Sequence, residues 1–154
     1  MALSITDLIT ELKIDVGWQA TPYPLFDEDY FTMVKRGIRR LFVDTNRPEA
    51  YDESLIIEVE NQPEAEGDPV TKTIIFDMDL NIIEQEYILL VSKIAFFKRV
   101  QTDVNDKFSY STDALKVTNA DKPYANLKDT ISGLENDRRI IYYKMVDYTL
   151  GNGA

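Results

Sequence analysis

Leu80-Asn81-Ile82-Ile83-Glu84-Gln85-Glu86-Tyr87-Ile88-Leu89-Leu90-Val91-Ser92-Lys93-Ile94-Ala95-Phe96-Phe97 is the most strongly patterned stretch of the chain. Apolar residues recur at Ile83, Tyr87, Leu90, Ile94 and Phe97 and, beyond a gap at Gln101, at Val104. Spacings of three and four are those of a helix face. Ile82, Leu89, Phe96 and Val100 add a second stripe. A helix apolar over so much of its circumference belongs at the centre of a bundle. From Leu80 to Asn105 it would run roughly 40 Å. The expected fold class is mainly α: a helical bundle around a long central helix, with an inserted β-hairpin.

The hairpin is read immediately upstream. Leu55, Ile57 and Val59 alternate with Ile56, Glu58 and Glu60, and Val70, Lys72, Ile74 and Phe76 alternate with Thr71, Thr73, Ile75 and Asp77. A period of two predicts strands, so 54–77 reads as a hairpin. Its tip, Asn61 to Pro69, holds two prolines, one glycine and the acids Glu64, Glu66 and Asp68. Three acids in so short a tip predict a loop that stays in water.

Two helices precede it. Ser4-Ile5-Thr6-Asp7 is a helix start, with Leu8, Ile9 and Leu12 forming a stripe that runs to Ile14. Gly17 to Pro24 reads as a loop rich in aromatics, carrying Trp18 and Tyr23 and leading to Leu25 and Phe26. Asp27 caps a second helix over 26–44, whose stripe is Tyr30, Val34, Ile38 and Leu41 with Phe31 and Phe42 beside it. Asn46-Arg47-Pro48 ends it, because the residue before proline is pushed out of helical geometry.

Downstream, Phe108 to Thr118 alternates again and predicts a short extended hairpin. A last helix begins at Asp121 as N-cap, with Pro123 in its first turn, where the missing N–H does no harm. Leu127, Ile131, Leu134, Ile141, Met145 and Tyr148 mark its face. Gly133 inside it predicts the close approach of another backbone. Glu135 and Arg139 are spaced for an ion pair. One domain is expected over 1–150, with the hairpin inserted at 54–77 and 151–154 as a flexible tail.

Composition restricts the chemistry. With 17 basic and 27 acidic residues among 154, the chain carries a net charge of −10, which opposes general binding to nucleic-acid phosphate. It has no cysteine and no histidine. Disulfides, thiolate or histidine catalysis and Cys/His zinc sites are thereby excluded. Met1-Ala2-Leu3-Ser4 lacks the basic and apolar regions of a signal peptide, and Tyr87 to Phe97 is too short to span a bilayer. The expectation is a chain made in a cytoplasm, without a membrane segment.

Asp77-Met78-Asp79-Leu80-Asn81 imitates the opening of a calcium loop. The glycine and glutamate such a loop needs are replaced by Ile82 and Ile88, so a strand end followed by a helix cap is the better reading. Glu84-Gln85-Glu86 supplies acids to the first turn of a helix, where they complement its dipole without making a two-metal nuclease site. No glycine-rich turn offers a phosphate cradle. Catalytic, cofactor-binding and metal-binding residues are therefore expected to be none. Lys35, Arg36, Arg39 and Arg40 form the dense basic cluster. A solvated helix face explains it, as does contact with an acidic patch on a neighbouring subunit; DNA contact comes third, because four positive charges work against a net of −10. Trp18 is a second candidate contact residue, since aromatics in loops anchor interfaces.

The segment from Ile82-Ile83-Glu84-Gln85-Glu86-Tyr87-Ile88-Leu89-Leu90 to Phe97, the stretch Phe108 to Val117 and the helix opening at Tyr124-Ala125-Asn126-Leu127 together resemble the head–tail connector (adaptor) proteins of tailed bacteriophages. The resemblance covers roughly residues 80–150 and rests on the order and texture of elements. It implies a homo-oligomeric ring, twelvefold in the family, with the portal protein above and a tail or stopper protein below. Double-stranded DNA would pass through without specific binding, and the protein would lie in the virion neck. Glu64, Glu66 and Asp68 would then face either the channel or a neighbour. A tail or neck completion protein, an acidic DNA-mimicking inhibitor and a carboxylate-metal nuclease are the alternative readings.

Overall fold

The computed structural model describes residues 2–20, 25–45, 47, 49–110 and 127–152, with the backbone alone described at 18–20, 103–110 and 147–152. Its elements are β1 (Ala2–Ser4), α1 (Ile5–Ala20), α2 (Asp27–Asp44), β2 (Ile56–Asn61), β3 (Thr71–Asp79), α3 (Ile82–Tyr110) and α4 (Leu127–Asn152). The protein is mainly helical, and among the described residues the strands form one small antiparallel sheet ordered β1-β3-β2.

Helix α1 begins where expected, with the Ser4 hydroxyl accepting the Asp7 N–H at 3.2 Å. It then continues past Ile14, because Val16 extends the buried series of Ile5, Leu8 and Leu12 by one more turn. Trp18 therefore stands on the last turn of a helix, a correction to the loop expected from Gly17; Tyr23 lies outside the described residues.

Helix α2 buries Tyr30, Val34, Ile38 and Leu41, the face the spacing predicts. Its N-cap is Phe26 and not Asp27: the Asp29 carboxylate turns back to accept the Phe26 N–H at 2.9 Å. Asp27 instead pairs with Lys13 of α1.

The hairpin is more firmly attached than an insertion. Beyond the β2 register, in which Ile56 faces Phe76 and Asn61 faces Thr71, β3 pairs with β1 through Leu3–Phe76 and Ser4–Ile75. Thr6 of α1 accepts the Ile74 N–H at 2.9 Å. The face assignment of β2 also changes. Ile56 packs on the core while Ile57 and Val59 are exposed, because pairing with fully buried Phe76 turns Ile56 inward. Phe76 stacks on Tyr51 and meets Phe42 edge-on.

Helix α3 packs against both α2 and α4. Tyr87, Leu89, Leu90, Ile94, Phe96, Phe97 and Val100 are buried, but Ile82 is 77% exposed, so the apolar face starts one turn later than its spacing suggested. Phe108 to Tyr110, expected as extended, continue the helix, and the rest of that predicted hairpin, with Asp121 and Pro123, lies outside the described residues. The strand-to-helix junction is as read. β3 ends at Asp79, and Asn81 caps α3 by accepting the Glu84 N–H at 2.8 Å.

Two details of α4 differ. A Cβ added at Gly133 would meet nothing within 4 Å among the described residues; the close approach belongs to Gly37 on α2, against the Ile88 carbonyl. The helix also continues through Gly151 and Asn152, where a flexible tail was expected.

Candidate interaction site

The basic cluster of α2 is mostly neutralised within the chain. Lys35 bonds Glu53, with Arg39 3.7 Å from the same carboxylate, and Arg40 pairs with Asp44 at 3.0 Å, one turn on. The Lys35 ammonium holds the Glu53 carboxyl below its usual range. Arg36 remains. It is exposed and has no ion-pair partner among the described residues.

Arg36 opens onto a groove over α3. One part, of about 410 Å³, lies between α2 and α3 and is lined by Met33, Arg36, Ala95, Lys98 and Arg99 among others. The second, of about 290 Å³, shares Arg36, Ala95 and Lys98 and continues toward α4 with Arg40, Val91, Ile94 and Arg138. The floor is apolar because Val91, Ile94 and Ala95 are the α3 residues between the two flanking helices. The rim carries five cations against the carboxylates Asp29 and Glu135. Lys98, Arg99 and Arg138 escaped sequence reading because they come from two other helices and form no local cluster.

A polar network runs inward from the rim of the groove. The Tyr87 hydroxyl, on a fully buried ring, donates to Asp44 and lies 3.3 Å from Arg138. Arg138 also reaches Asp44 at 3.5 Å and Glu135 at 2.9 Å, and Lys98 approaches Glu135 at 3.3 Å. The expected Glu135–Arg139 pair is replaced by this one, because Arg138 is the residue on the α3-facing side. Burial, helped by the hydrogen bond to the Asp44 carboxylate, pushes the Tyr87 phenol up to about 12. Burial acts to raise Glu135, but its bonds to Arg138 and Lys98 outweigh this and hold it below the usual carboxylate range. The network joins α2 through Asp44, α3 through Tyr87 and Lys98, and α4 through Glu135 and Arg138.

The second feature is the tip between β2 and β3. Every residue from Asn61 to Val70 is exposed, and Glu64, Glu66 and Asp68 have no ion-pair partner among the described residues. The tip is nonetheless folded: Gly67, with φ of 95°, allows a turn closed by the Asp68 N–H donating to the Ala65 carbonyl at 3.1 Å. Of the aromatic segment before α2, Leu25 packs on the core while Phe26 is 79% exposed. Trp18 is placed on α1 by its backbone alone.

Among the described residues no three acids are grouped to hold a metal ion, and no helix is long and apolar enough to cross a membrane. Set against family models, curated proteins and solved structures, the chain matches none.

Proposed function

We propose that this chain is a structural subunit that works by docking onto other protein subunits and makes or breaks no covalent bond. More particularly, we propose a head–tail connector of a tailed bacteriophage: copies form a ring below the portal, extend the DNA channel and receive a tail or stopper protein on the far side. In this reading α3, between α2 and α4, is the central strut of each subunit, and the virion neck is its location.

The observation that carries the reading is the division of surface chemistry. An ordered, fully exposed tip bears only acids, and a separate helical groove bears mainly cations. Surfaces of opposite sign at different places on one subunit suit head-to-tail contacts, which close into rings when the rotation between subunits allows it. The net charge of −10 suits a conduit along which DNA slides without sticking. A DNA mimic, by contrast, would present carboxylates along its contact face, where this groove presents arginine and lysine.

The test is the mass and shape of the native particle, alone and with a purified portal ring. Ring-shaped particles that cap the portal are expected. A chain that stays monomeric and leaves the portal ring bare would overturn the reading.

A further inference from the structure

Glu64, Glu66 and Asp68 are exposed on a folded tip, and Arg36, without an ion-pair partner among the described residues, lies exposed on the rim of a groove with an apolar floor. We propose that the occupant of this groove is the acidic hairpin tip of a second copy of the same chain. The proposal rests on the ring assembly proposed above and names the contact that would build it.

Size and charge both fit. From Val91 to Thr102 the groove follows α3 for roughly 16 Å. The tip from Glu64 to Asp68 spans at most about 13 Å even when extended. Lys98 and Arg99 on the rim pair with Glu135 and Asp29 yet stay exposed, while Arg138 is held more fully by Asp44, Glu135 and Tyr87. Arg36 sits where the two parts of the groove meet, so a carboxylate entering from solvent would find it first. The tip's turn at Gly67 is already formed, which lowers the entropy lost on docking. The tip and groove are different surfaces, so each copy offers one of each and the contact propagates from copy to copy.

Three full-length proteins test this: the parent, a tip variant (E64K/E66K/D68K) and a groove variant (R36E/K98E). All changed side chains are exposed, and circular dichroism should report the parent's fold in each. By sedimentation at low salt the parent should associate, and raising the salt should weaken it. Each variant alone should associate at least about tenfold more weakly. A mixture of the two should associate again, since a lysine tip meets an acidic groove and the unchanged tip of the groove variant meets an unchanged groove. Recovery in the mixture supports the contact.

A monomeric parent at low salt, variants that associate like the parent, or a mixture that stays apart would each overturn it. So would a groove variant that loses binding to double-stranded DNA while its self-association is unchanged, because the groove would then hold phosphate. Failure here is separable from failure of the connector reading. Rings formed only on a portal, by a parent that is monomeric alone, would retain the function and discard this contact. Open filaments that depend on tip and groove would retain the contact and discard the connector.

Discussion

Gly37 on α2 lies directly against the main-chain carbonyl of Ile88 on α3: a Cβ added there would stand 2.7 Å from the oxygen and 3.1 Å from the Ser92 hydroxyl. The two helices touch backbone to backbone at this point, and neither the carbonyl nor the α3 main chain can yield without moving the helix. Gly37→Ala should therefore destabilise by about 1–3 kcal/mol through overpacking, although alanine is the better helix former. Gly133→Ala, with nothing within 4 Å among the described residues, should stabilise by about 0.4–1 kcal/mol. Urea unfolding checks both, and equal signs for the two substitutions would refute the assignment.

That pair also shows what the sequence made legible. A glycine within a helical pattern looks the same whether it faces a neighbour or water, so Gly133 drew the attention that Gly37 merited. Periodicity was reliable where the period ran for several turns, as in the buried series of α2. It failed at Ile82 and Ile83, because the first turn of a helix can carry the pattern before the helix reaches its partners. β1, only three residues long, is too short to alternate recognisably. The groove was half legible. Arg36 and Arg40 announce themselves one turn apart, while Lys98, Arg99 and Arg138 become neighbours only when α2, α3 and α4 pack.

Tyr87→Phe should remove the hydroxyl that donates to Asp44 and leave a carboxylate dependent on Arg40 and Arg138. A loss of about 1–2 kcal/mol at neutral pH is expected. The pH dependence gives a sharper reading. The folded protein holds the Tyr87 proton up to about 12, above the phenol's ordinary 10.0. Its contribution is thus fully present below pH 10 and is lost as pH rises from there toward 12. Melting temperature measured across pH 9–12 should fall, and fall less steeply in Tyr87→Phe. Some slope should survive, because burial raises Tyr30 as well.

The core boundary on α3 can be tested by placing one charge at two sites. Ile88 is fully buried against α2, so Ile88→Asp should abolish cooperative folding by stranding a carboxylate in the core. Ile82, on the first turn of the same helix, is exposed, and Ile82→Asp should stay within about 0.5 kcal/mol of the parent. An acid there also meets the positive end of the helix dipole. Soluble, cooperatively melting Ile88→Asp protein would sink the assignment of α3 to the core.

Glu84 joins two jobs that can be separated. One oxygen accepts the Asn81 N–H at 3.0 Å, completing a reciprocal cap with the Asn81 side chain, and the other accepts from Arg47. Arg47 in turn lies over the Phe42 ring and 3.5 Å from the Met78 sulfur, so this one guanidinium ties the segment after α2 to β3 and α3. Glu84→Ala removes the cap and strands Arg47 in a site only 21% exposed, and should cost about 2–3 kcal/mol. Glu84→Gln can still accept from Asn81, so it should cost less by about the worth of a cap, roughly 1 kcal/mol. Arg47→Met keeps the packing on Phe42 but leaves the Glu84 charge with the Asn81 N–H alone. Combining Arg47→Met with Glu84→Gln removes both charges together, so the double variant should be more stable than the two single costs predict, by about 1 kcal/mol or more. Strict additivity in a urea-unfolding cycle would mean that Arg47 and Glu84 meet without energetic coupling. The hold of α2 on the start of α3 would then rest on the Gly37–Ile88 contact and the Asp44–Tyr87 hydrogen bond.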